Sequence, residues 1–188
     1  MDSFENKISV NNSPVGLGLI FLIGFMGCGK TTLGRKLAAR LDYAFFDLDH
    51  IFEAQAGMSI AEYFAAFGEA AFREAESGVL KDTVYPANAV ISTGGGLPCF
   101  FDNMEWMNAH GTTVYIKLSP KTLADRLEHE KHKRPVLNGR NEKELAAFIE
   151  EKLLEREVFY NKAKIIADGI GLTAEKTEFM VNNAFKRG

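Results

Sequence analysis

The chain has 188 residues, 46% of them hydrophobic, and its 22 basic and 25 acidic side chains give a formal charge of −3. That length supports one well-packed domain and gives no reason for two, while the near-balanced charge offers no footprint for nucleic acid or an anionic membrane surface. Two cysteines, Cys28 and Cys99, lack any C-x-x-C or zinc spacing and point to a reducing compartment.

The first eighteen residues are polar and mixed in charge, without the apolar stretch a secretory signal needs, and no later apolar run is long enough to span a bilayer. The expectation is a cytoplasmic chain with a flexible tail over 1–18 and a single domain over 19–188. The domain opens with the apolar run Leu19–Ile23, a strand, followed directly by Gly24-Phe25-Met26-Gly27-Cys28-Gly29-Lys30-Thr31. This is a G-x-x-x-x-G-K-[ST] phosphate loop, and the helix expected from Thr32 to Leu41 turns its N-terminus toward it. Inward N–H groups from Gly27, Cys28, Gly29 and on to Thr32, with the positive end of the helix dipole, suit the phosphates of a nucleoside triphosphate. Lys30 then reaches the β- and γ-phosphates and the Thr31 hydroxyl takes a place on Mg²⁺.

A second strand, Ala44–Phe46, runs into Asp47-Leu48-Asp49. Carboxylates at i and i+2 of an extended chain point to the same side, so one can serve a metal and the other a substrate. The third strand, Ala89–Ile91, ends without an acid, which makes Asp47 the better magnesium partner. Asp49 faces an acceptor hydroxyl, caps a helix before Ile51-Phe52-Glu53, or does both. A helix is expected over Ile60–Thr83, although Gly68 inside it costs about 1 kcal/mol relative to Ala and suggests tight packing there. Arg73 on that helix can clamp an anion or pair with Glu69 or Glu76.

Gly94-Gly95-Gly96 follows the third strand, where open α/β sheets bind ligands, and three glycines imply either a close approach of backbone to something or a tight turn. Helices over Phe101–Ala109, Pro120–Glu128, Glu142–Phe159 and Thr173–Phe185 alternate with strands Thr113–Ile116 and Lys164–Ala167. The alternation is that of βαβ units and a parallel sheet. Trp106 reads as a packing residue. The segment from His129 to Asn141 breaks both periodicities at Pro135 and Gly139 and reads as a charged, mobile loop.

Gly-Phe-Met-Gly-Cys-Gly-Lys-Thr-Thr, Asp47-x-Asp49, Gly68-Glu69-x-x-Phe72-Arg73-x-x-Glu76, Gly94-Gly95-Gly96, Arg134-Pro135-Val136-Leu137 and Arg156-x-x-x-Tyr160 together resemble the shikimate kinase family in content and order. The resemblance runs from about Leu19 to about Asp168. It implies a three-layer α/β fold of the nucleoside-monophosphate-kinase-like type, with a five-stranded parallel sheet and a mobile lid at about 129–141. It also implies transfer of the γ-phosphoryl of ATP to the 3-hydroxyl of shikimate, in the pathway to chorismate and the aromatic amino acids. Asp49, Arg73, Gly95 and Arg156 are then the shikimate contacts, Asp49 on ring hydroxyls and the arginines on the carboxylate. Thr31 and Asp47 become the magnesium partners, Arg126 the adenine-side arginine and Arg134 the lid residue on the phosphates. Lys30, Asp49 and Arg134 carry the catalysis, and a monomer with no obligate protein partner is expected.

Two other readings share these features. One is a related small-molecule kinase acting on gluconate or a nucleoside monophosphate; Arg73, the triple glycine and Asp49 in combination argue against it. The other is a regulatory nucleotide-binding module, expected to have lost a catalytic position, whereas Lys30, Thr31, Asp47, Asp49, Arg134 and Arg156 are all present.

Overall fold

A strand buried on both faces cannot alternate polar and apolar residues, and Leu19-Ile20-Phe21-Leu22-Ile23 does not. In the computed structural model, which describes residues 17–128 and 141–186, this run is β1 (Leu19–Ile23) and lies at the centre of the sheet, with Ile20 to Ile23 fully buried. Its neighbours are β3 (Ala89–Ser92) on one side and β4 (Gly111–Lys117) on the other, both parallel to it. β2 (Ala44–Asp47) pairs outside β3 and β5 (Ile165–Asp168) outside β4, giving the order β2-β3-β1-β4-β5. Beyond the ladder, the Thr93 N–H and hydroxyl both donate to the Leu22 carbonyl, at 3.2 and 3.1 Å, so the chain after β3 stays fastened to β1.

Successive β1 side chains point to opposite faces, and helices cover both. Leu22 faces α1 (Lys30–Leu41), where a Cβ on Gly34 would come within 3.2 Å of Leu22 and 2.6 Å of the Phe45 ring. Phe21 faces α4 (Asn103–His110), meeting the Trp106 ring edge-on at 6.1 Å. α7 (Ala174–Phe185) packs beside α1, and α5 (Pro120–Glu128) packs on α6 (Glu142–Tyr160). The expected three-layer parallel architecture is therefore present, and Trp106 does pack. Leu17 and Gly18, the last residues of the expected tail, are held: Leu17 N–H donates to Tyr43 Oη at 2.6 Å and Gly18 N–H to Asn88 Oδ1 at 3.2 Å. The rest of that tail, and the expected lid up to residue 140 with Arg134, lie outside the described residues.

Two expectations change. Helix α2 (Leu48–Ala56) begins one residue after β2, with Asp47 as its N-cap residue and Asp49 in its first turn. Asp49 therefore does not cap a helix, and the two carboxylates do not share an extended segment. Helix α3 (Ile60–Asp82), started by a Ser59–Glu62 capping box, contains Gly68 at φ 81°, ψ 174°. No atom lies within 4 Å of where its Cβ would stand, so close packing is not the reason for glycine here. The reason is the backbone: this conformation is nearly restricted to glycine, and it kinks α3 between Phe67 and Glu69. Gly68→Ala should cost on the order of 1–3 kcal/mol through backbone strain alone, read as a lower denaturant midpoint. An unchanged midpoint would show that the kink is not strained.

Candidate active site

The phosphate loop joins β1 to α1 through left-handed glycines, Gly27 at φ 79° and Gly29 at φ 98°, the latter being the N-cap of α1. Lys30 opens the helix and is buried, its ammonium donating to the carbonyls of Gly24 at 2.8 Å and Phe25 at 3.1 Å and lying 3.8 Å from Cys28 Sγ. It thus bridges the loop's own acceptors from inside, where a phosphate oxygen could replace either carbonyl. Thr32 and Arg126, with Gly29, Leu172 and Thr173, line a cleft of about 250 Å³ at the mouth of the loop. Arg126, on α5, donates to the Cys28 carbonyl at 3.3 Å, beside the helix N-terminus rather than inside the loop. A wider groove of about 670 Å³ along Leu118, Leu153 and Ile166 contains none of the loop residues.

Beside the loop stands a set of oxygen donors. Thr31 Oγ1 donates to Asp47 Oδ2 at 2.7 Å and lies 3.4 Å from Ser92 Oγ. Sheet register explains the grouping, because Asp47 and Ser92 are paired residues at the ends of β2 and β3. Among the described residues no three His, Cys, Asp or Glu side chains converge to form a metal cage. Few hard oxygen ligands, with water and phosphate supplying the rest, suit Mg²⁺.

The triple glycine meets charge on every side. A Cβ on Gly94 would overlap Glu76 Oε1 and lie 3.0 Å from Asp49 Oδ1; one on Gly96 would lie 2.5 Å from the Arg73 guanidinium. One on Gly95 would lie 3.2 Å from the Met26 amide nitrogen and 3.6 Å from an Arg156 guanidinium nitrogen. The close approach expected of these glycines is therefore to Asp49, Arg73, Glu76 and Arg156, from α2, α3 and α6, on a loop that also abuts the phosphate loop. Arg73 pairs with both of its helix neighbours, Glu76 at 2.8 Å and Glu69 at 3.1 Å, and stacks over the Phe100 ring at 4.4 Å.

Glu76 carries more chemistry than a helix-surface partner. It is buried, and burial pushes its carboxyl up to about 7 against the opposing pull of Arg73, with Asp49 raising it further. Its i,i+3 spacing from Arg73 was the signal available in the sequence; its burial was not. Arg156 is the opposite case, because one terminal guanidinium nitrogen is buried without a hydrogen-bond partner among the described residues. The guanidinium lies over the Phe25 ring at 5.2 Å. A buried N–H with no acceptor costs about 1–3 kcal/mol, more for a charged group, so this position invites an anion. Nearby Cys99 has its thiol pushed up to about 11 by burial, which makes it a poor nucleophile.

Comparison with known proteins finds relatives of the chain and of its fold. A family model described as shikimate kinase matches residues 26–183. The shikimate kinase of Parabacteroides distasonis is 48% identical over 168 residues, covering 89% of this chain and 97% of that protein. The crystal structure of shikimate kinase from Bacteroides thetaiotaomicron superposes with a TM-score of 0.77 at 41% identity, covering 90% of this chain and 95% of that one. A shikimate kinase from Acinetobacter baumannii solved in complex with shikimate has a TM-score of 0.77 at 29% identity, covering 89% and 94%.

Proposed function

We propose that this chain, which belongs to the shikimate kinase family, transfers the γ-phosphoryl group of ATP to the 3-hydroxyl of shikimate, giving shikimate 3-phosphate and ADP. The observation that carries the acceptor assignment is the partnerless buried nitrogen of Arg156 beside Gly95, a few ångströms from the phosphate loop. A carboxylate there, shared with Arg73, supplies the missing acceptor and fixes the ring with its hydroxyls toward Asp49.

Phosphoryl transfer is mostly positioning and charge stabilisation. The loop amides from Gly27 to Thr32 hold the phosphates, and Lys30 exchanges its loop carbonyls for phosphate oxygens. Arg126 borders the adenine side, and Arg134 from the lid adds positive charge at the transferring group. Asp49 orients the 3-hydroxyl and accepts its proton. Thr31 and Asp47 hold Mg²⁺, which when bound neutralises charge on the phosphates. All of these groups come from one chain, so a monomer suffices. No helix among the described residues is long and apolar enough to cross a membrane, consistent with a cytoplasmic enzyme.

Offering shikimate, gluconate and nucleoside monophosphates separately with ATP tests the reading: ADP should appear rapidly with shikimate alone. Turnover with gluconate or a nucleoside monophosphate and not with shikimate would overturn it. A second measurement addresses Glu76. Shikimate brings a negative charge to the guanidinium that Glu76 shares, so a carboxyl poised at about 7 should take up protons on binding near neutral pH. Titration calorimetry at pH 7 in buffers of different ionisation enthalpy should show buffer-dependent heats, and the dependence should fade well below that pH, where Glu76 is already protonated. Identical heats in all buffers would contradict it.

A further inference from the structure

Tyr160 closes α6 one helical turn after Arg156, and it is completely buried. Its hydroxyl donates to the carbonyl of Gly95, 65 positions away in the chain, while its ring packs on Tyr115 with centroids 4.9 Å apart. Tyr115 in turn donates to Glu157 at 3.0 Å, so this end of α6 is pinned to β4 as well. The Arg156 guanidinium is close enough to the Tyr160 hydroxyl to act on it through charge and a side-chain hydrogen bond, yet its Nη1 is buried with no partner among the described residues.

The Gly95 carbonyl is the acceptor on the same residue whose Cβ position lies 3.6 Å from that Arg156 nitrogen. A backbone carbonyl left unbonded in a buried site seeks a donor, and a guanidinium with a vacant N–H is a strong one. We infer that Tyr160 is a positioning residue for the acceptor site: by donating to the Gly95 carbonyl and engaging the Arg156 guanidinium it leaves Arg156 Nη1 open and reserves it for a carboxylate. Without the hydroxyl, the glycine loop and Arg156 can satisfy each other, and the incoming anion must compete with a carbonyl already in place. This rests on the proposed assignment of Arg156 to the shikimate carboxylate.

Tyr160→Phe tests it, since the ring contact with Tyr115 is retained and one oxygen is lost. The expected result is a rise in the shikimate KM of about tenfold, with kcat and the ATP KM within twofold of wild type. Binding of a shikimate analogue lacking the carboxylate, followed by calorimetry, should be unchanged. A merely structural tyrosine would weaken both ligands together or lower the melting temperature with no selective effect on shikimate. Kinetics are read at a temperature where circular dichroism shows both proteins folded, and Tyr160→Phe within an Arg156→Ala background gives a second arm: the shikimate penalty of the tyrosine change should vanish there. A shikimate KM within twofold of wild type in folded Tyr160→Phe, or an equal penalty with and without Arg156, overturns the inference. Failure of the wild-type protein to phosphorylate shikimate would instead remove the functional reading beneath it.

Discussion

Lys30→Ala should lower turnover by roughly 10²–10³-fold, the loss typical when a charge-stabilising contact to the transition state is removed. The starting geometry explains why the fold should survive the change. Among the described residues the ammonium bonds to acceptors of its own loop, Gly24 O, Phe25 O and Cys28 Sγ, and to no carboxylate that its removal would leave unpaired. Its β-carbon remains at the first position of α1, where alanine is a good helix former. Circular dichroism and the melting temperature should therefore stay near wild type while the ATP-consumption rate collapses. Wild-type turnover in the alanine variant would sink the phosphate-contact assignment.

Arg73→Ala and Arg156→Ala should each reduce kcat/KM for shikimate by at least ~10²-fold, about 2.8 kcal/mol at ~1.4 kcal/mol per decade, with little change in ATP affinity. Breaking a buried charged contact costs roughly 3–5 kcal/mol, against about 0–1 kcal/mol for an exposed pair. The two variants should differ in stability. Arg73 leaves behind Glu76, whose side chain is 6% exposed, so its removal strips a buried carboxylate of its counter-charge. Arg156 gives up its contacts with Phe25 and Tyr160 but leaves no carboxylate stripped of a direct ion pair, so its removal should lower the melting temperature less than that of Arg73. Lysine should rescue either position poorly, because a point charge lacks the planar two-donor fork. Equal use of shikimate and a decarboxylated analogue by wild type, or wild-type kinetics in Arg73→Ala, would return Arg73 to a helix-surface ion pair.

What could be read in advance divides along the range of the interactions. The strand–loop–helix around Lys30 was legible because its chemistry is local: glycines, lysine and threonine within eight positions, after an unbroken apolar run. Helix α2 was harder to place, since Asp47 and Asp49 both suit an N-cap and the strand turns into helix directly after the first of them. Gly68 was noticed for the wrong reason, because composition marks an unusual backbone without distinguishing a kink from a tight contact. The pairing of Tyr160 with Gly95, the partnerless Arg156 nitrogen and the burial of Glu76 depend on α3 and α6 converging on one loop, and no local pattern encodes that meeting.

The double hold of Thr93 on the Leu22 carbonyl makes the sheet a ruler. Donor and acceptor loops leave adjacent strands, and that carbonyl keeps them side by side at an interstrand spacing of about 4.8 Å. On the proposed site assignment, the two loops between which the phosphoryl group passes are thereby held at a separation that starts from backbone geometry common to all parallel sheets. On that assignment, side chains of α2, α3 and α6 contact the acceptor while the β1–β3 pairing fixes how far apart the two loops start.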